Sequence, residues 1–388
     1  MICINSIKLL LSKFQKIFSK HNKMNLVETF QTRRKKFEKD EIDDDSDVEA
    51  SDSGDEMENS DDERKKYKPG GYFNPEGKVY LKDNKNNKIF LNEKIGRGHF
   101  STVYKCKDSN SKEYALKIQK SAKSYRTAAR EEILIHDYLN KSNCKGKENV
   151  CIMVNNFCHN MQSGKHFCML FPIMSCDLEF FSRKYEECVI PLDITSKIAH
   201  DVLNGLAFIH ETGFIHTDLK PENILVDEIT DKYVISDLGT AVVIGDREFN
   251  YLQTSHYRSP DIILNHKNWN EKIDIWSFGC IIYECITGGY LFKGETEEDY
   301  ITSFIETIGI PPDNYLVNCK EKRKFFNRDD KFKNAADLEP MCIDRILTDK
   351  HGFDLKTANS IYTLVQPMFI WDIDKRWSAT DLLRLYSI

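Results

Sequence analysis

Residues 216–239 limit what this chain can become more than any other stretch. They read His-Thr-Asp-Leu-Lys-Pro-Glu-Asn, then Ile-Leu-Val, then a short polar spacer, and close on Ile-Ser-Asp-Leu-Gly. Transfer of a phosphoryl group asks little covalent chemistry of a protein. The protein must orient an attacking hydroxyl, hold a divalent cation against the phosphates and neutralise charge as the terminal group leaves. This stretch carries groups for all three tasks. Asp218 is placed to accept the hydroxyl proton and Lys220, two residues on, to reach the moving phosphate, while Asn223 and Asp237 offer hard oxygen ligands to Mg²⁺. A plain polar loop between two strands is the competing explanation. Asp-x-Lys-Pro-x-Asn followed at this distance by Asp-Leu-Gly is too particular a pattern for chance to supply readily.

A nucleotide site is expected upstream, where a strand-rich stretch leads into Ile95-Gly96-Arg97-Gly98-His99-Phe100-Ser101-Thr102-Val103. The two glycines let a hairpin tip come close to phosphates, and Ile95 and Val103 can flank a purine. Ser101 stands where such loops usually carry a third glycine. Tyr114-Ala115-Leu116-Lys117 reads as the next strand, with Ala115 against the base and Lys117 directed at the α- and β-phosphates. A lysine in that role needs a carboxylate to hold it. Residues 121–140 have helical spacing at Tyr125, Ala129, Ile133, His136 and Leu139, and Glu132 is the expected partner of Lys117. Glu131 points about a hundred degrees away and is read as a surface charge. Met169-Leu170-Phe171-Pro172-Ile173-Met174 is a short apolar run that ends this part of the chain, with Phe171 at the back of an adenine pocket and Ile173 beside it.

Farther on, 193–211 carries Ile194, Ile198, Val202, Leu206 and Ile209 on one helical face, opened by Pro191 and closed by Gly213. His216 then reads as a packed histidine rather than a base, and Leu225 as an apolar contact for the nucleotide. Asp261 is expected to pair with Arg376, and Asp274 to accept backbone hydrogen bonds from the loop at 216–218.

Charge divides the chain sharply. Residues 1–39 hold ten basic and two acidic side chains, residues 40–63 hold fourteen acidic and no basic ones, and residues 64–388 balance to zero, which gives the net −6. The balanced portion offers no nucleic-acid footprint. The acidic run has too few apolar groups to offset chain entropy and is expected to be a disordered tail, with Ser46, Ser51, Ser53 and Ser60 as acceptors for an acid-directed kinase. Ile4, Ile7, Leu11, Phe14 and Phe18 follow a helical spacing with lysines between them, and this reads as a frayed or partner-bound helix in preference to a membrane-bound one. Met24 is an alternative start. The twelve cysteines form no C-x-x-C pair, so free thiols in the cytoplasm or nucleus are expected, with no zinc site.

With these residues in hand, 67–388 resembles the eukaryotic protein kinases, and among them the SR-protein kinases that act on Arg-Ser repeats. His-Thr-Asp in place of His-Arg-Asp, Asp-Leu-Gly in place of Asp-Phe-Gly, Gly-His-Phe-Ser-Thr-Val in the glycine loop, Lys-Ser-Ala-x-x-Tyr at 120–125 and Lys324-Phe325-Phe326 carry the likeness. LAMMER kinases share His-Thr-Asp-Leu-Lys-Pro-Glu-Asn and resemble Ala128-Ala129-Arg130, but their namesake motif is missing. The resemblance implies an α+β, two-lobed fold: a tail over 1–66, a small β-rich N-lobe and hinge over 67–174, and a larger helical C-lobe over 175–388. It implies ATP and Mg²⁺ as cofactors, a monomer, and protein substrates phosphorylated on Ser or Thr, for which Lys220 and Thr254 are hallmarks. Lys117, Glu132, Asp218, Asn223 and Asp237 would converge on one triphosphate. It also implies an acidic docking groove at Asp299 and Glu306 with Glu295, Glu297 and Glu298 nearby, although Gly289 stands where an acid is usual. Thr217 replaces the arginine that draws a phosphorylated loop into place, so activity without loop phosphorylation is expected. A LAMMER- or cyclin-type kinase and a pseudokinase binding module are the alternatives.

Overall fold

The computed structural model describes residues 26–37, 39, 70–75, 77, 80–161, 163–247 and 252–386. The helical pattern at 4–20, the acidic run and its serines lie outside them. The described residues divide into two units, one drawn from Met1–Ser142, Cys151–Met174 and Asp237–Gly239, the other from Asn143–Val150, Ser175–Ser236 and Thr240–Ile388.

In the first unit, residues 26–37 form helix α1. A six-stranded antiparallel sheet follows, ordered β1-β2-β3-β4-β6-β5, from β1 (Tyr80–Lys82), β2 (Lys88–Arg97), β3 (Ser101–Lys107), β4 (Glu113–Gln119), β5 (Asn155–Met161) and β6 (Gly164–Pro172). The alternation in β4 explains its two faces: Leu116 and Ile118 are buried with Phe73, Tyr104, Cys106, Phe157 and Leu170, while Ala115 and Lys117 project to the other side. Helix α2 (Lys123–Lys141) buries Arg126, Ala129, Glu132, Ile135, His136 and Leu139. The sequence spacing assigned Tyr125 and Ile133 to the buried stripe; both are only half-buried, because Arg126 and Glu132, as polar residues invisible to an apolar count, occupy the inner face instead.

The second unit is mostly helical. Two short strands, β7 (Cys176–Asp177) and β8 (Phe214–Ile215), bracket helix α3 (Leu178–Ser182) and the long helix α4 (Leu192–Glu211). In α4, Ile198, Val202, Leu206 and Ile209 are buried as their spacing predicts. A hairpin of β9 (Ile224–Asp227) and β10 (Lys232–Ile235) carries the catalytic-loop stretch on its near side, and β11 (Val242–Val243) pairs with β8. Helix α5 (Pro260–Ile263) precedes α6 (Lys272–Thr287), which is buried on almost every face and ends at Gly288 with φ 72°. Only glycine takes that left-handed turn without strain, and an added Cβ would lie 2.0 Å from the Glu187 carbonyl oxygen. Helix α7 (Glu297–Ile308) and a set of shorter helices complete the unit. No helix among the described residues is long and apolar enough to cross a membrane.

Candidate active site

Strand register gathers the nucleotide-site candidates of the first unit. Directly opposed residues of an antiparallel pair share a face, so the pairings Val103↔Lys117↔Met169 and Ala115↔Phe171 set Val103, Ala115, Lys117 and Phe171 on one side of the sheet. Lys117 Nζ donates to Glu132 Oε1 at 2.7 Å and to Asp237 Oδ1 at 2.9 Å. Burial alone would lower the lysine, but Asp237 and Glu132 outweigh it and hold the ammonium above the ordinary lysine range. Burial raises Glu132, against the pull of Lys117. The sequence paired Glu132 with Lys117, and that bond is present; it assigned Asp237 to the cation and did not pair it with the lysine. Gly239 makes the cluster possible: a Cβ there would sit 3.2 Å from Asp237 Oδ1 and 3.4 Å from Glu132 Oε2.

Glu131 is not the free surface charge the sequence suggested. Arg34 of α1 donates to its Oε1 at 2.6 Å. Periodicity within α2 turned Glu131 away from Lys117 correctly, but could not show that a second helix waits on that side.

The tip joining β2 and β3 is tied down from beneath. Gly98 N donates to Ser101 O at 2.9 Å, and the Tyr72 hydroxyl donates to the carbonyls of Gly98 at 2.9 Å and His99 at 3.2 Å. Arg97 and Lys120 both lie over the Tyr72 ring. Ser101 and Thr102 are buried, whereas Ile95 and Phe100 are exposed. A Cβ at Gly98 would meet nothing within 4 Å, so that position is open to an approaching phosphate. Phe171 packs edge-on to His136 at 5.2 Å, and Ile173 follows it just past β6.

The second unit holds the catalytic-loop residues. Asp218 Oδ1 accepts from the Thr254 hydroxyl at 2.7 Å, its Oδ2 lies 2.8 Å from Lys220 Nζ, and Asn223 Nδ2 donates to its main-chain carbonyl at 2.8 Å. Lys220 Nζ also donates to Thr254 Oγ1 at 3.2 Å. His216 is fully buried. It accepts from Asp218 N on Nδ1 at 3.3 Å and donates from Nε2 to Ser236 O at 2.8 Å, the arrangement of a structural histidine. Leu225 lies half-buried on β9.

Beneath this loop Asp274 accepts from the backbone N–H of His216 at 2.8 Å and of Thr217 at 2.9 Å, and bonds His210 Nε2 at 2.8 Å. Thr217 has φ 69°, a left-handed conformation costing a β-branched residue about 1–3 kcal/mol. Asp274 is the acceptor that holds it. The Thr217 hydroxyl donates to Thr240 O at 2.7 Å, tying the loop to the start of the following segment. The expected pair of Asp261 and Arg376 is present at 2.7 Å with both side chains fully buried.

Three carboxylates escaped the sequence reading. Glu284 on α6 accepts from the Tyr257 hydroxyl at 2.7 Å. Burial pushes it up to about 7, with Glu222 and Glu179 adding to the effect. Glu222 is raised as well, first by burial and then by Glu179 and Asp218. Glu222 was visible within the catalytic-loop motif; Glu179 and Glu284 had no local signal. Of the acids expected in a docking groove, Asp299 closes a capping box with Thr296, Glu306 accepts from Glu339 N at 2.9 Å, and Glu298 accepts from Asn334 at 2.7 Å.

Asp237 of the first unit offers a carboxylate, and Asn223 of the second, whose nitrogen is committed to Asp218, offers an amide oxygen; each is a hard donor of the kind a divalent cation takes. The protein kinase domain matches residues 90–386. Among similar proteins, a serine/threonine-protein kinase SRPK of Physarum polycephalum is 29% identical over 86% of this chain and 92% of its own length. Dual specificity tyrosine-phosphorylation-regulated kinase 3 of Mus musculus is 35% identical over 60% of this chain and 39% of its own, and a putative homolog of that kinase from Drosophila melanogaster is 33% identical over 60% and 28%. The chain thus spans well under half the length of these last two.

Proposed function

The chain belongs to the protein kinase family and is a protein kinase of the serine/threonine class; on that premise we propose that it transfers the γ-phosphate of Mg-ATP to serine or threonine hydroxyls lying in arginine-rich protein segments. The setting of Asp218 carries the proposal. Its carboxylate is held by Thr254 and Lys220, with Asn223 on its backbone. A carboxylate so fixed accepts the hydroxyl proton as attack proceeds, and Lys220 screens charge on the transferring group. Gly96 and Gly98 would cover the phosphates, Lys117, held by Glu132, would bind them, and Asp237 and Asn223 would each offer a hard oxygen to the cation, which would supply neutralisation of phosphate charge.

Glu179, Glu222 and Glu284 support the substrate class. Burial raises the proton affinity of Glu284 and Glu222, and the charge of Glu179 adds to it in both, so a guanidinium would relieve the cluster, since arginine pairs two carboxylate oxygens at once. Basic residues flanking the acceptor serine are the matching ligands.

Regulation follows from Thr217. Its hydroxyl already holds Thr240, and Gln253 ties the far end of the segment by donating to Ile273 O at 2.9 Å and Ser277 Oγ at 2.7 Å. These bonds at the described residues of the segment support activity without a phosphate. An array of Arg-Ser and Ser-Pro peptides, assayed with wild type and Asp218→Ala, tests the function: transfer to Arg-Ser peptides that vanishes in the variant supports it, and preference for Ser-Pro peptides would refute the substrate class.

A further inference from the structure

Helix α1 packs one face against α2. Leu26, Phe30, Arg34 and Phe37 recur at intervals of four, four and three residues, so they form a single stripe. Leu26 and Phe30 are buried, while Glu28, Thr32, Arg33, Lys35 and Lys36 on the remaining surface are exposed. Three contacts join the helices. Phe30 meets the Tyr138 ring edge-on at 6.5 Å, Arg34 bonds Glu131 at 2.6 Å, and the Arg130 guanidinium lies 5.6 Å from the Phe37 ring and 5.5 Å from the Phe167 ring of β6. Arg130 therefore links α1, α2 and the sheet.

Left to itself α2 is a poorly secured helix. Ala122 at its N-cap offers no side-chain hydrogen bond and no acidic residue occupies its first turn, so both usual sources of stability at a helix N-terminus are missing. It also buries the Glu132 carboxylate and the His136 imidazole, each of which loses hydration there. Any outward shift of α2 would rehydrate Glu132 and release Lys117. The contacts from α1 oppose that shift, on the side of α2 facing away from Lys117.

We propose that α1 is an activating brace built into the chain: Phe30, Arg34 and Phe37 are positioning residues that hold α2 where Glu132 engages Lys117, and the outer face of α2 is covered by the protein itself. This rests on the reading in which the pair of Lys117 and Glu132 belongs to the phosphate-binding state. The two ideas fail separately, because the brace has a readout that needs no phosphate transfer.

The test uses the full chain with Phe30→Ala, Arg34→Glu, Glu131→Arg and the double reversal Arg34→Glu with Glu131→Arg. Steady-state kinetics give kcat and the KM for peptide, amide hydrogen exchange reports on residues 123–141, and thermal unfolding gives Tm. Each single change is expected to lower kcat about fivefold or more, the usual size of coupling between linked sites, and to speed exchange across α2. The KM for peptide should stay at its wild-type value; Tm should stay within about 2 °C for the charge reversals, while Phe30→Ala should also lower Tm through loss of its buried ring. The double reversal should recover kcat and exchange protection. Single variants with wild-type kcat and exchange would overturn the brace, as would a double variant no better than the worse single one. If the wild type itself transferred no phosphate, the kinase reading would fall, while the exchange arm would still decide the brace.

Discussion

Glu284 couples pH to stability and, on the proposed substrate class, to peptide affinity. Burial raises it from 4.5 to about 7, so the folded protein binds its proton more tightly than the unfolded chain does. The stability this provides is complete below the unfolded value of 4.5 and is lost as pH rises through about 7. Affinity for a cationic peptide runs the other way, because only the ionised carboxylate pairs with arginine. We expect the KM for an Arg-Ser peptide to fall as pH rises through neutrality in wild type, and this dependence to flatten in Glu284→Gln. The variant should also lose less Tm than wild type between pH 5 and 8. Steady-state kinetics and thermal unfolding across that range check both. Asp218 has a different role: Asp218→Ala should cut kcat about a hundredfold or more, the usual contribution of a placed general base, with ATP affinity retained by calorimetry.

Elements hold these residues through buried polar anchors that no apolar pattern reveals. The loop between β8 and β9 is strained at Thr217 and depends on Asp274 of α6. Asp274→Ala leaves two buried N–H groups without an acceptor. It should lower unfolding free energy by about 3 kcal/mol and cost at least about tenfold in kcat through loss of loop geometry. The fully buried pair of Asp261 and Arg376 joins α5 to the stretch before the C-terminal helix. Arg376→Met strands a carboxylate in the core and should destabilise by about 4 kcal/mol in urea titrations, with part recovered when Asp261→Leu is added, because most of the cost is the unpaired charge. Strongly periodic elements are legible in the sequence: α4 follows its apolar spacing from Ile198 to Ile209, with Ile194 only half-buried. In α2 the spacing places Ala129, His136 and Leu139 correctly and Tyr125 and Ile133 too deep, since the inner face is completed by Arg126 and Glu132, polar residues whose burial depends on partners elsewhere in the chain.

At the scale of the whole molecule, Thr217 holds Thr240 and Gln253 bonds Ser277 among the described residues of the activation segment, and the proposal that these bonds serve in place of a phosphate can be checked directly. Treatment with a phosphatase should leave kcat unchanged, and mass spectrometry of active enzyme should find the segment at 237–261 unmodified. The sequence alone determined the chemistry: acids, amide and lysines at fixed short spacings can serve a triphosphate and its cation, and such spacings survive any arrangement of the remaining chain. It also identified pairings whose partners had a motif of their own, as with Lys117 and Glu132 or Asp261 and Arg376. Only tertiary structure decided that Glu179, Glu222 and Glu284 repel one another, that the acids around α7 are engaged in capping and local bonds, and that a helix from the basic N-terminal region covers α2. Each depends on distances between segments far apart in the chain, and neither periodicity nor composition encodes such distances.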